Sequence, residues 1–176
     1  MLKWVLALVG SLIALVVLPM ILGMFLPRQH VAISSVTLRQ PPDSLWFVMF
    51  DLASYPAWWP DVRGMELRQD DAGGEIWVQT DTQGRELPLE LVKSDPPTGL
   101  VIQIADERLP FGGSWTYVIE PAVSGSKVTV TEEGEIFNPV FRLMARVFLG
   151  YHGTIDRYLQ ALGSRFGEDV APLHLN

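Results

Sequence analysis

Three glutamates, Glu132, Glu133 and Glu135, crowd the end of a segment, 127–136, that reads as a strand. Strand alternation puts Glu132 on the same face as Val128 and Val130, which is the inner face if those valines belong to the core. A carboxyl group there is desolvated and its pKa raised, which suits a general acid or an anchor for a ligand. Two structural outcomes compete: a bulge near Gly134 that turns Glu132 outward, or a structural pairing with Arg108 or another arginine. Trp115 and Tyr117 share a strand face with Ile119, and Trp46, Trp58 and Trp59 lie on short segments nearer the amino terminus. Such side chains ordinarily form core. Where a sheet wraps a helix without touching it everywhere, the same side chains line an apolar pocket.

Other chemistries find little support. His30, His152 and His174 are far apart, and only His152 falls inside an expected element, so metal ligation is discounted. The chain has no Cys and no Gly-x-Ser-x-Gly elbow, which leaves a Ser-His or Cys-His pair hard to assemble. Gly73-Gly74 and Gly112-Gly113 sit between antiparallel strands and read as turns, not phosphate cradles. A formal charge of -7 without clustered Lys and Arg argues against nucleic acid. No cofactor is expected.

The elements that must position these residues emerge from periodicity and turn chemistry. Residues 31–39 read as a first strand. Pro41-Pro42-Asp43-Ser44 opens a short helix through Phe50, and a second helical turn at 54–60 is bracketed by Pro56 and Pro60. Six alternating segments come next, at 64–69, 75–81, 87–94, 100–105, 114–121 and 127–136, separated by Gly-bearing turns: an antiparallel meander. The connection 106–113, with Pro110 and Phe111, is a candidate flap over a pocket mouth. Residues 138–166 read as one long helix, with Asn138 as N-cap, Pro139 at the first position and Gly167 past the end. Val140, Leu143, Met144, Val147, Tyr151, Ile155, Tyr158, Leu162 and Phe166 recur at three- and four-residue spacings and give it one broad apolar face. Residues 168–176 read as a polar tail with nothing to pack.

At the other end, residues 4–26 form an apolar run without a charge, longer than the roughly 20 residues that cross a bilayer. The expectation is a single-pass transmembrane anchor over 1–27, with a cleaved signal peptide as the competing reading and the side of the membrane undetermined. If the long C-terminal helix is continuous, Arg142, Arg146 and Arg157 fall on one stripe with Leu149, away from the core face. Basic side chains beside apolar ones suit a membrane surface; a plain solvated face accounts for them equally well.

The order strand, two short helices, six strands and a long helix resembles the helix-grip fold of the START-like superfamily, also known as SRPBCC or the polyketide cyclase/dehydrase and lipid-transport group. The likeness is carried by Gln40-Pro41-Pro42-Asp43-Ser44-Leu45-Trp46, Phe50-Asp51 and Tyr55-Pro56-Ala57-Trp58, then by Pro96-Pro97, Gly113-Ser114-Trp115-Thr116-Tyr117 and Thr131-Glu132-Glu133-Gly134-Glu135-Ile136. It spans about residues 31–166 within an expected domain at 28–167. It implies an α+β fold in which a curved antiparallel sheet of about seven strands wraps the long helix. It also implies a hydrophobic small-molecule ligand such as a lipid or isoprenoid, held between them by Trp46, Trp58, Phe111, Trp115, Tyr117, Glu132, Met144, Val147 and Tyr151. Two further readings stay open: a cyclase- or dehydratase-like enzyme using Glu132 and Tyr117 for proton transfer, and a membrane-tethered module that binds other proteins.

Overall fold

The computed structural model describes residues 2–69 and 73–175, leaving out the side chains of 2, 5–10, 12–14, 16, 148 and 149. The chain order is helix α1 (Leu2–Met24), strand β1 (Gln29–Leu38), helix α2 (Pro42–Phe50), a 3-10 turn (Leu52–Ser54) and helix α3 (Tyr55–Trp58). Strands β2 (Val62–Gln69), β3 (Glu75–Asp81), β4 (Glu86–Asp95), β5 (Gly99–Ile104), β6 (Phe111–Ala122) and β7 (Gly125–Ile136) come after them. Helix α4 (Pro139–Met144), a π turn (Ala145–Leu149), helix α5 (Gly153–Arg165) and a two-residue strand β8 (Leu173–His174) complete it.

All strands join one antiparallel sheet in the order β2-β3-β4-β5-β6-β7-β1-β8. This is the expected α+β arrangement, with eight strands in place of about seven. Its concave face carries the inward residues of alternating strands: Val36 and Leu38 of β1, Leu100 and Ile102 of β5, Ile119 of β6, Val128 and Val130 of β7 are all buried. Leu45, Trp46 and Met49 of α2 and Ile155, Tyr158, Leu159 and Leu162 of α5 close over them in one core.

The C-terminal helix differs from the expected single element. Its ends are as read: the Asn138 side chain accepts from the Val140 and Phe141 amides at 2.9 and 3.2 Å, and Gly167 takes φ 71° just beyond α5. Between them the helix breaks. The π turn at Ala145–Leu149 ends at Gly150, whose φ of 69° and ψ of 174° suit only glycine. Helix α5 then starts afresh, and it alone is gripped by the sheet.

The break disposes of the basic stripe. Arg142 stands on α4 and is 6% exposed, donating to the carbonyl oxygens of Leu26 and Phe137 at 3.0 Å each. Arg157 stands on α5, paired with Asp61 at 2.6 Å. Arg146 is exposed in the π turn between them, and the Leu149 side chain lies outside the described residues. No common membrane-facing surface results.

The expected membrane anchor is corrected as well. Helix α1 forms over the apolar stretch and includes Pro19, yet among the described residues no helix is long and apolar enough to cross a membrane. Its last turn is docked on the domain: Gly23 lies so close to the Pro139 backbone that a Cβ would collide with it, and Arg142 binds the carbonyl of Leu26. The tail is corrected too. Glu168 accepts the Arg39 amide, Val170 packs on Gly163, and β8 pairs with Ser34 and Ser35 of β1. His174 reaches the Asp156 carboxylate at 2.8 Å, whose other oxygen accepts from Ser34 at 2.7 Å.

Because Leu159 is wholly buried where α5 meets the core, its truncation removes packing that the sheet cannot collapse to replace. Leu159→Ala is expected to lower unfolding free energy by about 2–5 kcal/mol, read from equilibrium urea denaturation.

Candidate functional site

Space remains between the sheet and α5. A cavity of about 310 Å³ opens there, bounded by α3, the β3–β4 hairpin, the inner faces of β5, β6 and β7, and the first turns of α5. Its aromatic wall is Tyr55, Trp59, Trp115, Tyr117 and Tyr158; its aliphatic wall is Leu87, Leu89, Ile102, Val130 and Ile155. The rim is polar. Arg157 pairs with Asp61 at 2.6 Å and Arg85 with Asp81 at 2.7 Å, so each rim cation already has its anion. The Arg85 amide and then its guanidinium hold the Asp81 carboxyl below the usual carboxylate range.

Tyr158 organises the aromatic wall. Its ring meets Trp59 edge-on at 5.1 Å, Tyr117 at 5.2 Å and Trp58 at 5.6 Å, with Tyr55 tilted at 6.2 Å, distances and angles that suit the ring quadrupoles. Tyr55 is fixed by donating to the Met49 carbonyl at 2.7 Å. Burial pushes the phenols of Tyr55, Tyr117 and Tyr158 up; a hydrogen bond with Tyr158 partly offsets this for Tyr55 while adding to it for Tyr158, and Tyr55 with Glu132 adds to it for Tyr117. They are poor bases as placed.

Of the aromatic residues singled out from sequence for a pocket, Trp59, Trp115 and Tyr117 line this cavity. The others stand elsewhere. Trp46 is buried and stacks on Phe50 at 5.1 Å; Trp58 is buried behind Tyr55 and Tyr158, donating to Ser54. Phe111 begins β6 opposite Ile136 and is exposed, so the expected flap is shorter than 106–113 and does not form the rim. Met144 and Val147 are exposed because the break in the C-terminal helix swings their segment off the sheet. The cavity mouth lies at the β3–β4 turn, which nothing in the periodicity marks.

Glu132 does face inward, and Gly134 makes no bulge: β7 runs in regular register from Glu135 to Ser126 against β1. The carboxylate is bound on both oxygens, by Trp115 Nε1 at 2.8 Å and by His30 Nε2 at 3.2 Å. A carboxylate only accepts, so this assigns the donor role to Nε2. The His30 ring lies over Gly134, where a Cβ would occupy its place, and stacks on Tyr151 at 4.1 Å; its Nδ1 is buried without a protein partner. The three polar side chains are neighbours across β1, β7 and β6, near the start of β1 and the end of β7. His30 escapes the sequence reading because the alternating pattern of the first strand only becomes distinct at Val31. Tyr55 and Tyr158 carry an apolar pattern that reads as core, and only Arg157 and Asp61, both charged beside aromatics, offer a signal.

This geometry has two measurable effects on stability. Replacing Glu132 by Leu strips two inward donors of their acceptor and is expected to cost about 1–3 kcal/mol in urea denaturation, whereas Glu132→Gln, which keeps one acceptor for Trp115, costs less. Three buried phenols with raised pKa values also make stability pH-dependent on the alkaline side. The folded state holds protons that the unfolded chain releases above about pH 10, so stability is complete below that pH and falls as pH rises toward the folded values. The slope reaches about 1.4 kcal/mol per pH unit for each phenol, measurable as urea midpoints between about pH 8 and 11.5.

Comparison with known proteins agrees with this architecture. No curated protein matches the sequence. Among solved structures, a START superfamily protein from Mycobacterium smegmatis superposes with a TM-score of 0.59 at 16% identity, covering 77% of this chain and 96% of its own. Truncated norcoclaurine synthase from Thalictrum flavum gives 0.62 at 18% identity, with 80% and 94% covered. The di-domain ARO/CYC StfQ of the steffimycin biosynthetic pathway gives 0.60 at 12% identity, over 77% of this chain and 50% of that one. At these identities the likeness is one of fold. The sequence itself matches the model of the family described as polyketide cyclase/dehydrase and lipid transport over residues 29–167, so the chain from β1 to the end of α5 belongs to that family.

Proposed function

We propose that this protein binds a small hydrophobic molecule in the cavity between its sheet and α5. The observation that carries this reading is the cavity itself: about 310 Å³, walled by aromatic and aliphatic side chains, with charged groups confined to its rim. Its size limits the occupant. Ligand pockets run from roughly 300 to 1,000 Å³, so this one takes a ring system or a short chain and not a two-chain lipid. Family membership supports the same class of ligand.

The cyclase-like reading draws on Glu132 and Tyr117, which do share the concave face as diagonal neighbours across β6 and β7. Glu132 already engages both oxygens with Trp115 and His30, and burial keeps the Tyr117 phenol from ionising. Both residues therefore serve the cavity as wall and support, and binding without chemistry is the favoured reading. A role as a protein-interaction module has less behind it, since it calls for a filled interior.

The test is uptake of 1-aminoanthracene, whose fluorescence rises in apolar surroundings, by the full chain and by Leu87→Trp. Leu87 is half-buried on the cavity wall, so the larger side chain fills the space. Saturable binding is expected for the wild type, weakened at least about tenfold in the variant, since one filled pocket removes most of the apolar area a ligand of this size buries. Equal binding by both proteins would sink the proposal.

A further inference from the structure

Strand β3 turns Trp77, Gln79 and Asp81 onto the concave face at two-residue steps. Trp77 packs against the core, and Gln79 lies directly opposite Leu87 of β4. Gln79 and Leu87 both line the cavity close to its mouth at the β3–β4 turn, and both are half-buried. Among the described residues, none hydrogen-bonds to the Gln79 carboxamide. The other polar side chains at the mouth differ from it. Asp81 is held by Arg85 and Asp61 by Arg157, while Thr82, Gln83 and Thr154 are exposed at the lip. Farther along the sheet the Tyr117 hydroxyl also lacks a described partner, but it belongs to a buried ring set edge-on against Tyr158. Gln79 is thus an uncommitted polar group placed where apolar wall gives way to polar rim.

The chemistry of a carboxamide narrows what suits it. It carries an acceptor oxygen and two N–H donors, and a ligand group that displaces water from it without returning hydrogen bonds loses affinity. A hydroxyl returns either kind, giving its proton to the oxygen or accepting from the nitrogen. Each rim arginine is matched by an aspartate, so the mouth offers no unbalanced charge to draw in an ionised head group. The aromatic side chains of the wall belong to α3, β6 and α5 and favour a ring at the end away from the β3–β4 hairpin. We infer that the cavity takes an uncharged ring alcohol, its ring among the aromatic side chains and its hydroxyl on the Gln79 carboxamide. Gln79 is then the residue that sets specificity. This deepens the proposed binding function and rests on it.

Three probes test this by equilibrium dialysis against the full chain: 2-naphthalenemethanol, its methyl ether and 2-methylnaphthalene. They share one ring system; the ether keeps the oxygen but has no proton to give, and the hydrocarbon has neither. The alcohol is expected to bind about fivefold tighter than the ether, although the ether is the more apolar of the two. Gln79→Leu and Gln79→Met should each weaken the alcohol by about fivefold while leaving 2-methylnaphthalene within about twofold of wild type, and that retained binding reports that the variants are folded. Tyr117→Phe should leave the advantage of the alcohol over the ether in place. Leu87→Trp should weaken all three probes. Binding of the ether as tightly as the alcohol in the wild-type protein, which needs no variant to fold, overturns the inference. The same holds if the Gln79 variants leave the alcohol untouched or weaken alcohol and hydrocarbon alike, or if Tyr117→Phe abolishes the advantage instead. In each of those cases hydrocarbon binding that Leu87→Trp weakens retains the cavity as an unselective apolar site. Failure of all three to bind, or binding that Leu87→Trp does not touch, removes the cavity reading itself.

Discussion

The position of Tyr158 decides how closely α5 can approach the sheet. Its ring is in contact with Tyr55, Trp58 and Trp59 from the short helices and with Tyr117 from β6, so three parts of the fold meet through one side chain. Aromatic rings cannot compress. Where they meet, they set a fixed spacing between helix and sheet, and beside them, toward the β3–β4 hairpin, that spacing is left unfilled. One turn further along the helix Leu162, with Leu159 beside it, is wholly buried in the core. One helix thus makes both a solid core and a hollow, the difference being which side chains face the sheet at each turn.

Two polar clusters border the concave face, one on β1, β7 and β6 and one at the β3–β4 turn, and different physics governs each. In the first, Glu132 accepts from His30 and Trp115 across three strands, and Gly134 leaves the room that the imidazole ring occupies. Such a network fixes the relative register of β1, β7 and β6 as firmly as the backbone ladder does, because each partner has few alternatives in a part-buried setting. In the second, at the cavity rim, the charges lie partly in water, where ion pairs stabilise little. Solvent can enter on that side without breaking a strong interaction.

Much of this architecture is legible in the sequence alone. Alternation in β6 and β7 puts Trp115, Tyr117 and Glu132 inward, and the N-cap Asn138 and Gly167 mark both ends of the C-terminal helical region correctly. The break inside that region is not legible, because apolar spacing continues across it from Val147 through Tyr151 to Ile155. A π turn inserts an extra residue per turn and rotates the chain beyond it, so a pattern that looks unbroken in sequence belongs to two faces in space. Met144 and Val147 leave the expected wall for this reason. His30 is lost through a strand boundary two residues too late, an ordinary imprecision of element ends. Strand β8 has no local signal at all: two residues pair only because α5 delivers the tail to the β1 edge.

The split of the C-terminal region also divides the molecule mechanically. Helix α4 is fastened to α1 through the Gly23–Pro139 contact and the bonds from Arg142 to Leu26 and Phe137, while the Ile136 amide bonds to the Arg28 carbonyl. Helix α5 is fastened to the sheet by its own side chains. A force or tilt applied at α1 therefore runs into α4 and the adjoining ends of β1 and β7, and Gly150 stands between that load and the cavity wall. Among the described residues, the amino-terminal helix is held by α4, an element that contributes nothing to the cavity wall.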